Sequence, residues 1–208
     1  MNDRLGTLPK RVTICEVGPR DGLQNEATPI STEDKVRFCD LLSDAGVPIL
    51  EATSFVSPQA VPQMADAGEV FGRIRKDDGR TYLVLVPNER GLDRAMDAGV
   101  RAIAVFTAAS EAFAKANIRM SIDESVSRFA DVVKRAKADG MWVRAALSTA
   151  FGCPFQGDVP VADVVCVCER LLELGVDELS VADTIGVGTP NQVFEVVGAL
   201  RAIVPLDR

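Results

Sequence analysis

The stretch AGVPILEATS, residues 45–54, decides the fold, because its pattern returns three times along the chain. The other copies are AGVRAIAVFT at 98–107, DGMWVRAALS at 139–148 and LGVDELSVAD at 174–183. In each copy a glycine suited to the end of a helix precedes a short apolar run, which finishes in small or polar residues. Near-continuous apolar runs are typical of parallel strands that are buried on both faces. The repeat therefore predicts buried strands, each preceded by a helix.

Two further apolar segments, Val12–Val17 and Thr81–Val86, bring the predicted strands to six, near residues 12, 48, 81, 101, 142 and 178. Helical patterns fill the gaps between them. Ser31 or Thr32 is suited to cap a helix that runs through Asp44, and Ser121 with Glu124 forms a capping box. Pro160 and Pro190 suit first-turn positions, where a missing N–H costs nothing. This alternation predicts an α/β protein with a parallel sheet.

Two architectures fit such an alternation, a doubly wound sheet and a (β/α)₈ TIM barrel. The doubly wound fold favours a glycine-rich phosphate turn after the first strand, but GPRDGLQNE at 18–26 is not a dinucleotide fingerprint. A complete barrel has eight units and typically about 250 residues. We therefore expect an incomplete TIM barrel, with about six of eight βα units in a single partial catalytic domain over residues 1–208.

Composition excludes several function classes. The 208 residues carry 23 basic and 30 acidic side chains, a net charge of −7, which argues against a nucleic-acid or anionic-membrane binder. No apolar run approaches the ~20 residues of a membrane span, and the opening MNDRLGTLPKR lacks the core of a secretory signal. We therefore expect a soluble, cytoplasmic protein.

The chain has five cysteines and no histidine. An odd number without a disulfide-like framework favours a reducing compartment. Cys166 and Cys168 lie two apart in a helical pattern, so we expect them to point to different faces and to serve packing rather than metal binding.

Charged and polar residues recur where the predicted strands end, which in a barrel is the active-site face. Each has an ordinary interpretation: Asp21 opens an Asp-Gly turn, Glu51 is satisfied by a neighbouring arginine, and Asp183 caps the helix that begins near Pro190. Together they indicate a mouth with acids for a hard cation and arginines for an anionic substrate. The residues are Arg20, Asp21, Glu51, Ser54, Arg144, Ser180 and Asp183.

The stretch EVGPRDGLQNE, residues 16–26, resembles the signature of hydroxymethylglutaryl-CoA lyases, which belong to a wider group with isopropylmalate and homocitrate synthases. Further matches follow in order along the chain. They are TSFVSP at 53–58, VPQM at 61–64, AASE at 108–111 with Asn117-Ile118, GCP at 152–154 with Gly157, and DTIGVGTP at 183–190.

This resemblance implies the cleavage of 3-hydroxy-3-methylglutaryl-CoA to acetyl-CoA and acetoacetate with Mg²⁺ or Mn²⁺. It implies an acyl-CoA as the small-molecule partner and leaves homo-oligomerisation open. By motif position, it implies Asp21 as metal ligand and Arg20, Glu51 and Asp183 as catalytic residues. The positions that it implies for substrate binding are Gln24, Ser54, Arg144 and Ser180.

The sequence departs from the family pattern in one respect. The family's two metal-ligand histidines, its catalytic cysteine and a ligand asparagine lie later in the family sequence than the last match here. We interpret Cys153 as a structural or substrate-adjacent thiol. We therefore expect these 208 residues alone to have little lyase activity. Two alternatives stay open: a non-catalytic partial barrel that pairs with another chain, and a related condensing synthase. A eukaryotic source would place the protein in the mitochondrial matrix instead of the cytoplasm.

Overall fold

A computed structural model of the chain describes residues 10–76 and 79–208. Within these residues, six parallel strands form one sheet in the order β1-β2-β3-β4-β5-β6. The strands are β1 (Cys15–Glu16), β2 (Ile49–Ser54), β3 (Thr81–Leu85), β4 (Ala102–Ala108), β5 (Trp142–Ser148) and β6 (Glu178–Val181). The helices are α1 (Thr32–Asp44), α2 (Ala67–Arg73), α3 (Glu89–Asp97), α4 (Glu111–Ile118), α5 (Ile122–Ala138), α6 (Val161–Glu173) and α7 (Pro190–Leu200).

The spatial order of the strands equals their order in sequence. A doubly wound sheet reverses direction at a switch point, whereas a barrel adds each strand beside the previous one. The incomplete TIM barrel is therefore confirmed, with six strands in the described residues. Strand β1 is shorter than predicted, because Val12 and Ile14 remain exposed and only Cys15 and Glu16 pair with β2.

The main core fills the space between the sheet and the helices. On β5, alternate residues Val143, Ala145 and Leu147 are fully buried and belong to this core. Because side chains alternate along a strand, Arg144 between them projects from the other face, toward the inside of the barrel. That inner face carries a small second cluster around Leu83. The chemistry-bearing side chains of the strands share this inner side.

Four glycines close the helices that precede repeated strands. Gly46, Gly99, Gly140 and Gly175 have φ of 88°, 78°, 73° and 87°, which confirms the left-handed conformation predicted for them. A residue with a Cβ is strained at such angles.

Three helix starts follow the predicted signals, and the start of α6 differs from its prediction. The Ser31 side chain accepts from the Asp34 N–H at the start of α1, and Ser121 with Glu124 forms a complete capping box on α5. Pro190 is the first residue of α7, as predicted. Pro160 instead precedes α6 as its capping residue, one position earlier than expected.

Within α6, Cys166 is exposed and Cys168 is fully buried, so the two thiols point to different sides as predicted. None of the helices in the described part of the chain is long and apolar enough to cross a membrane.

We expect Ser121→Ala to lower the free energy of unfolding by about 1 kcal/mol, because it removes the acceptor for the Glu124 N–H at the start of α5. Urea denaturation measures the change. Ser127→Ala is the matched control, since Ser127 is an exposed serine inside the same helix; it should leave stability unchanged or raise it slightly. Equal losses in both variants would contradict the capping role.

Candidate active site

The turn that carries Arg20 and Asp21 follows β1 directly. Residues Gly18–Gly22 form a π-helical turn, a rare conformation that is frequent at functional sites. The Gly18 N–H donates to Glu16 Oε1 at 2.7 Å, and a Cβ on Gly18 would lie 2.9 Å from that oxygen. A side chain at position 18 would therefore displace the Glu16 carboxylate, which anchors the turn to the end of β1.

Arg20 links the turn to the interior of the barrel. Its Nε donates to Glu51 Oε1 at 2.6 Å, and its Nη1 donates to Asp21 Oδ1 at 2.9 Å. Glu51 lies in β2 and is only 4% exposed, whereas the Asp21 side chain is 56% exposed. Three of the predicted residues thus form one contiguous group, with the guanidinium held between two carboxylates. The prediction that an arginine satisfies Glu51 is confirmed.

Arg144 forms a second group on the inner side. Its Nε and Nη2 donate to Glu178 Oε1 at 2.7 and 2.6 Å, and its guanidinium lies 5.4 Å from the centre of the Trp142 ring. Its Nη1 also donates to Cys15 Sγ at 2.9 Å, which joins β5 to β1 across the barrel. Burial raises the pKa of the Cys15 thiol, although the hydrogen bond from Arg144 opposes that effect. Substrate binding by Arg144 stays a prediction, since Glu178 and Cys15 already engage its donors.

Glu178 and Cys15 were not identified from the sequence. Glu178 lies inside the apolar run of β6 and pairs in register with Arg144. An acid and an arginine in adjacent buried strands indicate an ion pair, but only once the strand register is known.

Asp183 lies in the loop between β6 and α7. Its two carboxylate oxygens accept from the Val187 N–H at 3.0 Å and the Gly188 N–H at 2.8 Å. A Cβ on Gly188 would lie 2.9 Å from Asp183 Oδ2, so a larger residue there would displace the carboxylate. The helix-cap interpretation of Asp183 is wrong, because Thr189 caps α7 in a capping box with Gln192. Asp183 instead stabilises its own loop and presents an exposed carboxylate.

The three remaining predicted residues occupy different environments. Ser54 is fully buried and its hydroxyl donates to the Leu85 carbonyl at 3.5 Å, which places it within the sheet. Ser180 is half-buried on β6, and Gln24 is half-buried just after the π-helical turn. Their roles in substrate binding stay predictions.

Cys153 lies in the loop after β5 and is 4% exposed. Its Sγ accepts from Ser110 Oγ at 3.0 Å and from the N–H groups of Phe155 and Gln156. Burial raises the pKa of this thiol, but these hydrogen bonds outweigh burial and the pKa is lowered overall. The thiol therefore serves at least to close its loop, in line with a structural role.

Thr149, the first residue after β5, was not identified from the sequence. It has a φ of 59° although it is β-branched, a conformation that stores strain. Its N–H donates to Thr184 Oγ1 at 2.7 Å, and the next residue, Ala150, donates to the Ala182 carbonyl. These bonds join the loop after β5 to the loop that carries Asp183.

Asp21 supplies an oxygen ligand suited to a divalent metal ion, but the described residues supply too few ligands for a complete metal site. Asp21 offers an exposed carboxylate, the ligand type that hard divalent cations prefer. Residues 10–76 and 79–208 contain no group of three His, Cys, Asp or Glu side chains that could hold a metal ion. The described residues therefore do not form a metal site by themselves.

A cavity of about 340 Å³ opens at the opposite end of the sheet. It is lined by the first residues of three strands, Thr81, Ala102 and Trp142, together with Lys76 and Arg101 among others. Because Arg20 and Asp183 follow the carboxyl ends of their strands, this cavity is separate from the candidate site.

Comparison with known proteins agrees with the incomplete TIM-barrel fold. The HMGL-like family model matches residues 11–208. The chain belongs to the HMGL-like family. It is 49% identical over 202 residues to a protein named mitochondrial hydroxymethylglutaryl-CoA lyase from Bos taurus, a match that covers 97% of this chain and 62% of the relative. The chain therefore spans about three-fifths of the length of that relative.

Solved structures of two related lyases superpose closely on this chain. A hydroxymethylglutaryl-CoA lyase from Pseudomonas aeruginosa matches with a TM-score of 0.94 and 47% identity, covering 97% of this chain and 67% of that one. An HMG-CoA lyase from Acinetobacter baumannii, solved with coenzyme A and 3-methylmalate, matches with a TM-score of 0.89 and 34% identity, covering 93% and 63%. The agreement extends to the whole six-stranded sheet.

We expect Glu178→Gln to lower the free energy of unfolding by about 2 kcal/mol, since it leaves the buried Arg144 guanidinium without its carboxylate. The loss should fall below that for a fully buried pair, because the Glu178 side chain is 26% exposed. Urea denaturation provides the measurement, with Glu173→Gln at the exposed end of α6 as the control. A change below about 0.5 kcal/mol for Glu178→Gln would show that the pair does not stabilise the fold.

Proposed function

We propose that the protein containing this chain cleaves 3-hydroxy-3-methylglutaryl-CoA to acetyl-CoA and acetoacetate. The C3 hydroxyl loses its proton, the C2–C3 bond breaks, and its electron pair becomes the enolate of acetyl-CoA, which is then protonated at carbon. The observation that carries the proposal is the Arg20 guanidinium fixed between Glu51 and Asp21. Membership of the HMGL-like family supports it.

Arg20 supplies the positive charge for the enolate. A guanidinium has five N–H donors, and in the described residues Arg20 uses its Nε for Glu51 and its Nη1 for Asp21. The remaining donors serve an oxyanion at the thioester oxygen. Because two carboxylates hold the group in place beforehand, little reorganisation is needed as charge develops, and such preorganised donors contribute strongly to catalysis.

We assign the proton transfer to Asp183 rather than to Glu51. Glu51 is 4% exposed and its carboxylate accepts from Arg20, so its role is to orient the guanidinium. Asp183 is exposed, and two backbone N–H groups fix the direction of its carboxylate. A carboxylate held in this way is suited to accept the hydroxyl proton and to return a proton to the enolate carbon.

A divalent cation, Mg²⁺ or Mn²⁺, belongs to the proposal through family resemblance. When bound, it polarises the substrate oxygens and lowers the cost of the alkoxide. Asp21 is the ligand that we propose for it. The described residues hold no three-donor group, so the steps above rest on the protein side chains alone.

The substrate class in the proposal is an acyl-CoA. Gln24, Ser54, Arg144 and Ser180 are proposed to line the substrate path. The related Acinetobacter baumannii lyase was solved with coenzyme A, which supports a coenzyme A ester here. The cytoplasmic or mitochondrial location and homo-oligomerisation remain predictions.

A second candidate function is a partial barrel that pairs with another chain. Exposed apolar side chains beside β1 favour it: Val12 is 74% and Ile14 is 56% exposed. Large exposed apolar side chains next to a sheet edge are suited to a protein partner.

We expect the 208 residues alone to form no measurable acetoacetate from 3-hydroxy-3-methylglutaryl-CoA with Mn²⁺. They contain no histidine and, where described, no three-donor metal cluster. Fused in frame to the remaining third of the Pseudomonas aeruginosa relative, the same residues should form acetoacetate at a rate typical of an enzyme. The relative itself is the positive control, and a folded but inactive fusion would count against the lyase function.

In that fusion we expect Arg20→Lys to lower kcat by at least about 100-fold, because an ammonium cannot keep the forked contacts to Glu51 and Asp21. A coupled acetoacetate assay measures the effect. Arg90→Lys, at an exposed position on α3, is the matched control and should leave kcat unchanged. Full activity of the Arg20→Lys fusion would remove Arg20 from the mechanism.

A further inference from the structure

The loop that joins the Arg20–Asp21 turn to α1 is mostly exposed, so burial of its side chains contributes little to fixing its conformation. Residues 25–29 are exposed, and Ile30 is half-buried. Bonds inside the turn region, such as Asn25 Nδ2 to the Asp21 carbonyl at 2.7 Å, are local. A loop without apolar contacts relies on hydrogen bonds to hold one conformation.

One side chain from a different loop supplies those bonds. Gln63 Nε2 donates to the Glu26 carbonyl at 2.8 Å and to the Thr28 carbonyl at 2.7 Å, and its Oε1 accepts from the Ile30 N–H at 3.3 Å. Its amide thus contacts the loop at three points. In the residues that the structure describes, residues 26–30 are tied to the rest of the fold by these three bonds and by the local bond from the Glu26 N–H to the Leu23 carbonyl at 3.2 Å.

Gln63 is itself held from two directions. It lies in a 3₁₀ turn, Pro62–Met64, whose Met64 is 1% exposed and accepts from Thr53 Oγ1 on β2 at 3.6 Å. On the other side, the buried Lys35 of α1 donates to the Gln63 carbonyl at 2.5 Å. The side chain therefore projects from a base that is anchored both to the sheet and to α1.

An ion pair completes this base. Lys35 Nζ lies 2.8 Å from Asp66 Oδ1, and Thr32 Oγ1 donates to Asp66 Oδ2 at 2.7 Å. Lys35 is 6% exposed, and a buried ammonium with a carboxylate and a carbonyl partner has little freedom to move. The first turn of α1 and the segment after β2 are thereby fixed to each other.

We propose that Gln63 is a positioning residue for the Arg20–Asp21 turn: its amide fixes the loop that leaves the turn and so keeps Arg20 aligned with Glu51. Without the amide, residues 26–30 keep only the local bond from the Glu26 N–H to the Leu23 carbonyl within the described part of the chain, and the turn is held by its bonds to Glu16 and Glu51. The inference deepens the proposed function, since the turn that it concerns is the one that carries the assigned catalytic arginine.

The test uses NMR on the full 208-residue chain and needs no turnover. In Gln63→Met, which keeps the size of the side chain but removes its polar atoms, we expect the Ile30 amide to exchange with solvent at least about 10-fold faster. We also expect the Arg20 Hε resonance, which reports the 2.6 Å bond to Glu51, to change position. Gln59→Ala is the matched control, because Gln59 is an exposed glutamine of the same loop that contacts Ser57 instead.

The outcomes separate positioning from simple loop stability. Faster Ile30 exchange together with a shifted Arg20 Hε resonance supports the proposal. Faster exchange with an unchanged Arg20 resonance, or no change in either, overturns it.

If Gln63→Met does not fold, hydrogen exchange in the unaltered chain still tests the proposal. Both Gln63 Hε2 protons should then exchange at least about 10-fold more slowly than those of Gln59, and equal rates overturn the proposal. An inactive fusion enzyme would count against the lyase function without altering these readouts.

Discussion

The hydrogen bond from Arg20 to Glu51 is the constraint on which the rest of the candidate site depends. Glu51 is 4% exposed in the interior of β2, where an unpaired carboxylate costs several kcal/mol. Its partner comes from the turn after β1, so the burial of Glu51 is favourable only when that turn is in place. The position of the Arg20–Asp21 turn is therefore coupled to the stability of the sheet.

A second ion pair extends the same coupling to the far side of the barrel. Arg144 on β5 binds Glu178 on the adjacent β6 and reaches Cys15 on β1. The outer face of β5 is apolar and packs on helices, whereas its inner face at Arg144 is charged. A charged interior is costly, but here the paired groups link β1, β5 and β6 to one another.

The sequence predicted the fold better than the site. Strand and helix positions followed from features that act locally, such as the glycines at 46, 99, 140 and 175 and the capping box at Ser121. The grouping of Arg20, Asp21 and Glu51 also followed, because parallel strands end on one face. Glu178 and Cys15 were not identified from the sequence, because their roles depend on strand register and on contacts across the barrel. Arg144 lies 34 residues from Glu178 and 129 residues from Cys15 in the sequence. The strained φ of Thr149 had no local signal at all.

The rim of the barrel is held by a different kind of interaction from its interior. Several loops on the rim are held by polar side chains that bind their backbone directly. Gln63 does so for the loop after the Arg20–Asp21 turn, Asp183 for the turn at Val187 and Gly188, and Thr184 for the strained residue after β5. Each of these bonds is individually modest, about 1 kcal/mol, and each determines where one functional loop lies. These residues therefore act on the site through the geometry of its loops more than through the stability of the fold.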